Sequence, residues 1–187
     1  MVTQERALEI FRETGVLLEG HFRLTSGLHS DRYMQCAKVF QYAAQTEELC
    51  RALAEQFGEI DVVIGPAVGA IQMAYEVSRH LGCRNIFAER EDGAFNLRRG
   101  FEISFGERVL VVEDTVTTGG SVNEVIALVK AYGGILAGVG ALVDRSGGAV
   151  DFDTSFKALV RVDIPSWEAE GCPLCALGIP CVKPGSR

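Results

Sequence analysis

The sequence predicts an α/β fold, a central parallel sheet flanked by helices, with a small N-terminal hood-like appendage. Three observations carry this. Short apolar runs rich in Val and Ile, at residues 60–64 and 108–113, read as strands covered on both faces. Segments of helical period, at residues 43–57, 70–80 and 121–132, alternate with such runs, which implies right-handed βαβ units. The chain of 187 residues, 48 % apolar and 23 % charged, can bury a core as one domain and does not have a disordered composition.

Taken in order, residues 3–14 read as a helix capped by Thr3, with Ala7, Leu8, Ile10 and Phe11 on one side. Residues 20–39 hold two strand-like pieces punctuated by Ser-Gly and Ser-Asp, the β-rich appendage. Leu49, Leu53 and Phe57 recur four apart in the helix over 43–57. The strand at 60–64 is ended by Gly65-Pro66, a helix follows over 70–80, and 85–88 is the next strand. Residues 89–100 are charged and read as a loop. The strongest strand, 108–113, feeds a Gly-containing turn and the helix at 121–132, and strands at 135–143 and 156–162 close the sheet. Pro165, Pro173, Pro180 and Pro184 make the tail irregular. Residues 1–187 form a single domain on this reading, with 1–40 and the tail building the hood.

The formal charge is −7, with a pI near 5.0, so a general nucleic-acid binder is disfavoured by repulsion from phosphate backbones. The first ten residues carry Glu5, Arg6 and Glu9, which no signal-peptide core tolerates. The longest uncharged stretch, residues 62–75, is too short to span a bilayer. The expectation is a cytoplasmic protein without membrane or nucleic-acid partners. The six cysteines are no disulfide scaffold: Cys36, Cys50 and Cys83 read as buried thiols. Cys172, Cys175 and Cys181 cluster in the tail. Three thiols fall short of a four-ligand zinc site and the histidines, at 21, 29 and 80, lie far off in sequence, so structural thiols are expected there.

The chemistry concentrates at residues 109–121. An apolar strand runs into Glu113 and Asp114, then into Thr115, Val116, Thr117, Thr118, Gly119, Gly120 and Ser121, where a helix starts. Ligands bind at the carboxyl ends of strands in such sheets. The glycines let a ligand approach the backbone, the helix N-terminus favours an anion, and the hydroxyls add donors. No lysine is present, so this is not a Walker loop, and G-x-G-x-x-G is absent. Two carboxylates beside a phosphate make sense if they hold sugar hydroxyls or a hydrated divalent metal, which points to a ribose phosphate.

These residues resemble the phosphoribosyl pyrophosphate (PRPP) motif of the type I phosphoribosyltransferases. The wider chain resembles the orotate phosphoribosyltransferases, through Gly20-His21-Phe22, Ser26-Gly27-Leu28-His29-Ser30, Gly65-Pro66-Ala67, Asp144-Arg145 and the tail from Cys172 to Ser186. The resemblance implies the type I phosphoribosyltransferase fold and transfer of the 5-phosphoribosyl group of PRPP to orotate, giving orotidine 5′-monophosphate in pyrimidine (UMP) biosynthesis. It implies that Thr115 to Ser121 wrap the 5-phosphate and that Glu113 and Asp114 face the ribose hydroxyls as catalytic residues. Thr117 and Arg145 bind orotate, the latter through its carboxylate. Ala67 and Val68, in the turn 65–69, hold pyrophosphate by main-chain N–H groups, because Gly69 stands where many relatives carry lysine. The resemblance further implies that Mg²⁺ enters mainly through PRPP rather than through protein side chains, and that the enzyme is a homodimer, as family members usually are.

Residues 89–100 match the family's flexible catalytic loop, in which relatives carry several lysines and a histidine. Here Arg90, Arg98 and Arg99 stand instead, and Ala94 occupies an expected lysine position. Arg90, directly after a strand, is the first choice for the pyrophosphate contact and for catalysis. The competing reading is a solvated face balanced by Glu89, Glu91 and Asp92. Thr25 stands where some relatives carry lysine, leaving Ser26, His29, Arg32 or Tyr33 to substitute, although His29 alone reads as structural. Two other functions compete: a type I enzyme acting on a purine or uracil, and a nucleic-acid-binding regulator that keeps the PRPP site.

Overall fold

The computed structural model describes residues 2–24 and 27–184. Helix α1 (Gln4–Glu13) starts at Thr3, whose hydroxyl accepts from the Arg6 N–H. Strands β1 (Leu17–Arg23) and β2 (His29–Met34) pair antiparallel, and a 3₁₀ turn (Cys36–Gln41) leads to α2 (Ala43–Ala54). Then come β3 (Val62–Pro66), α3 (Ile71–Leu81), β4 (Arg84–Glu91), β5 (Ala94–Leu97), β6 (Arg108–Val116), α4 (Gly120–Ala131), β7 (Ile135–Asp144), β8 (Phe156–Arg161), β9 (Ser166–Trp167) and the single-turn α5 (Pro173–Ala176).

The main sheet runs β5-β4-β3-β6-β7-β8, parallel throughout except for the β4–β5 hairpin. The period-2 alternation of its strands divides the core in two. Val63, Leu110, Val112, Leu142 and Val160 face α1, α2 and α3, whereas Val62, Ile64, Val109, Val111 and Val139 face α4. Both layers are fully covered, which is why these strands read as unbroken apolar runs. Each such side chain contributes about 1.5–3 kcal/mol through burial.

Three expectations change. Gly65 and Pro66 do not lie beyond the strand but are its last two residues, buried, while Ile60 and Asp61 fall outside it. A Cβ on Gly65 would stand 2.7 Å from Ala70 Cβ and 3.2 Å from the Val112 carbonyl, so glycine is what lets β3 press against β6. Most of the 89–100 loop is the β4–β5 hairpin, closed by Asp92-Gly93, both with positive φ (51° and 87°). That dipeptide is a hairpin signal, masked in the sequence by charges on an exposed ribbon. Third, the tail is not wholly irregular: β9 adds to β2, and Val182 bridges to Phe22 on β1.

The second sheet, β1-β2-β9, is the hood. Residues 1–40 also reach beyond the hood: Ala7, Ile10 and Phe11 of α1 are buried in the main core, where α1 packs on β8 as well as on β1. Of the three isolated cysteines, Cys36 and Cys50 are buried and Cys83 is only half-buried.

Candidate active site

β6 extends to Val116, three residues further than the apolar run indicates, held by pairing of Thr115 and Val116 with Val143 and Asp144 of β7. The two acids are therefore inside the strand. Glu113 lines a cavity of about 60 Å³ with Thr115 to Val122, the turn into α4. The Asp114 carboxylate faces the 66–69 turn: a Cβ on Gly69 would lie 3.6 Å from its Oδ2. One acid thus meets the phosphate cradle and the other the turn that precedes α3, which carries a cis Ala67–Val68 peptide and an exposed Val68.

No side chain caps α4, so its first amides are left to the cradle. Gly119 is its N-cap with φ +74°, and a Cβ there would come within 2.9 Å of Val150 Cγ1 and 3.0 Å of Phe152 Cε1. Gly119→Ala should therefore cost about 2–4 kcal/mol, from left-handed backbone strain and overpacking. A urea titration checks the loss, and phosphate binding followed by calorimetry should weaken with it.

Burial, then repulsion from Asp114, pushes the Glu113 carboxyl up to about 8. Burial also raises Asp114. No cation among the described residues pairs with either acid. The site therefore has unmet need for hydroxyl donors or a cation, which a hydrated divalent ion or a ribose diol supplies. Cys36 is a neutral thiol, lifted to about 12 by burial first and then by Asp114, and the Thr115 hydroxyl donates to its Sγ at 3.0 Å.

Arg145 follows β7 directly and its N–H donates to the Val116 carbonyl at 2.8 Å, which sets it beside Thr117. Asp144 is not its partner; that carboxylate accepts from Ser146 at 2.7 Å and lies 3.5 Å from Arg161. Arg145 Nε is buried without a hydrogen-bond partner, and burial lowers the guanidinium pKa. A half-buried cation left without an anion is the arrangement that a carboxylate ligand completes.

The hairpin arginines stand apart from this group. Arg90 donates to both Glu124 oxygens at 2.8 and 2.9 Å and lies over the Phe95 ring, Arg99 pairs with Glu89 at 2.8 Å, and Arg98 approaches Glu91 at 3.6 Å. Exposed pairs of this kind are worth about 0–1 kcal/mol each, so they hold the arginines only weakly. Thr25, where some relatives carry lysine, and Ser26, one of the substitutes weighed for it, lie outside the described residues, as does Ser186 at the end of the tail. The structure also joins residues that sequence distance separated. His21 and His29, on the hood hairpin, meet Cys172 and Cys175 of the tail, and Cys181 lies 3.9 Å from His29. Remoteness in sequence holds in space for His80 alone, which lies beside Glu76 and Glu47.

The phosphoribosyl transferase domain family matches residues 39–175. An orotate phosphoribosyltransferase of Caldanaerobacter subterraneus subsp. tengcongensis is 60 % identical over 186 residues, 98 % of each chain. This chain belongs to the orotate phosphoribosyltransferase family. Another relative of that name, from Thermotoga maritima, is 51 % identical over 96 % of this chain and 97 % of its own. The crystal structure of orotate phosphoribosyltransferase from Aeropyrum pernix superposes with a TM-score of 0.71 at 22 % identity, covering 82 % of this chain and 92 % of that one, which shows the shared fold. No helix of the described residues is long and apolar enough to cross a membrane.

Proposed function

We propose that the chain transfers the 5-phosphoribosyl group of PRPP to orotate, releasing pyrophosphate and orotidine 5′-monophosphate on the route to UMP. The observation that carries this reading is Arg145: an unpartnered guanidinium beside a lysine-free phosphate cradle. Thr115, Val116, Thr117, Thr118, Gly119, Gly120 and Ser121 hold the 5-phosphate through main-chain and hydroxyl donors. Asp114 and Glu113 take the ribose hydroxyls, and the Asp114 carboxylate steadies the positive character that the anomeric carbon gains as pyrophosphate departs. Ala67 and Val68 offer main-chain donors to pyrophosphate. Arg90 reaches it after leaving Glu124, when the hairpin closes over the substrates and excludes water. Thr117 and Arg145 orient orotate for attack by its ring nitrogen.

Mg²⁺, held mainly through PRPP beside Glu113 and Asp114, would supply positive charge to offset that on the departing pyrophosphate. The uncompensated Glu113–Asp114 pair suits a site that receives such a cation. The same reading carries a cytoplasmic homodimer. In the test, pyrophosphate release from PRPP is measured with orotate, adenine or uracil, with and without a chelator. Release should require orotate and stop on chelation. Release with adenine or uracil in place of orotate would overturn the assignment of the base. Light scattering at assay concentration should give twice the chain mass of 20.2 kDa.

A further inference from the structure

We propose that the hood holds one zinc ion, bound by His21 Nε2, His29 Nδ1, Cys172 Sγ and Cys175 Sγ. These ligand atoms all lie within 4.8 Å of one another. Cys172 Sγ and Cys175 Sγ stand 3.5 and 3.7 Å from His21 Nε2, and Cys175 Sγ stands 3.3 Å from His29 Nδ1. Tetrahedral zinc, with bonds of about 2.05 Å to nitrogen and 2.3 Å to sulfur, sets each N···S edge at roughly 3.5 Å. The two ring nitrogens, 2.9 Å apart, need to open by only a few tenths of an ångström to reach the corresponding N···N edge, about 3.3 Å.

The orientation of His21 supports a ligand role. Its Nδ1 lies 2.7 Å from the Ile179 carbonyl, so that nitrogen carries the proton and Nε2 turns a lone pair into the cluster. A backbone carbonyl holding the distal N–H is how metal-bound imidazoles are fixed. Two thiolates and two imidazoles form a soft, closed set that suits zinc rather than Mg²⁺. His21, His29 and Cys172 are buried, and Cys175 closes the outer side.

The tail's packing gives an independent reason. From Pro173 to Lys183 almost every residue is exposed, and Cys172 alone enters a core position. Yet this stretch keeps a fixed place against β1, with Val182 N–H donating to the His21 carbonyl at 2.9 Å and Arg23 N–H to the Val182 carbonyl at 2.9 Å. Apolar burial is too small to hold it there, whereas a metal crosslink between β1, β2 and the tail is sufficient. Cys181 is a spare thiol beside the site, not one of the four ligands.

Elemental analysis of the full-length protein, purified without chelator, should find one zinc per chain. Cobalt exchange should give the intense visible bands of a tetrahedral thiolate site. Cys172→Ser and Cys175→Ser should abolish both signals, and Cys181→Ser should keep them. Wild-type protein without stoichiometric zinc even after zinc supplementation, with Cys175 open to thiol reagents, would overturn the proposal and leave a hydrogen-bonded His–Cys cluster. Bound iron in place of zinc would overturn it too, as would zinc loss on Cys181→Ser with retention on Cys175→Ser. Because the wild-type and cobalt measurements need no variant, a misfolded mutant does not blunt the test.

Discussion

Replacing Arg145 by alanine should raise the KM for orotate by about 30- to 1000-fold while the KM for PRPP stays within roughly a factor of two. The guanidinium is half-buried, its Nε lacks a partner, and no carboxylate among the described residues neutralises it. The free enzyme therefore bears the cost of an uncompensated charge, and a ligand carboxylate relieves it. Removing one side of such a pair costs about 2–4 kcal/mol, which gives the range above. Arg145→Lys should fall between, since lysine keeps the charge but loses the two-pronged geometry that a carboxylate matches. Steady-state kinetics with each substrate varied in turn decides it. An unchanged orotate KM would separate Arg145 from recognition of the base.

The second large effect belongs to the acid pair. Asp114→Asn should cut kcat on the order of 10²-fold with little change in melting temperature, because the carboxylate stabilises charge that develops only as pyrophosphate leaves. Glu113→Gln has a separate signature in the ligand-free protein. The folded-state carboxyl sits near 8 against 4.5 for the exposed group. Between these values the folded protein keeps a proton that the unfolded chain has lost, so stability falls as pH rises from about 4.5 to 8. The variant should lack that contribution, on the order of 1–3 kcal/mol. Denaturant melts at pH 5 and pH 8.5 check it. Parallel pH dependence in the two proteins would show that Glu113 titrates normally.

The turn proposed to hold the phosphate was readable because its parts are contiguous. Residues 109–121 form strand, turn and helix in one stretch, so apolar run, glycines and hydroxyls appear in the order in which they act. Arg145 is not contiguous with that stretch: the family resemblance singled it out, and the pairing of β7 with β6 sets it beside Val116. The hairpin over 84–97 was harder. Its first part, 85–88, reads as a strand, but residues 89–92 are charged and 90–94 exposed, so no apolar alternation marks the crossover and only Asp92-Gly93 betrays the turn. Arg90 finds Glu124 thirty-four residues away, a pairing no local pattern encodes.

The sequence by itself determined the alternating α/β order, the covered parallel strands and the glycine turn between β6 and α4, because periodicity and turn chemistry act over a few residues. Only the tertiary structure decided what long-range pairing decides. It turned Glu113 toward the cradle and Asp114 toward the 66–69 turn, left Arg145 without an anion, and drew α1 into the core between the hood hairpin and β8. It also brought His21 and His29 to cysteines some 150 positions away, through a hairpin and a tail whose meeting depends on the whole fold.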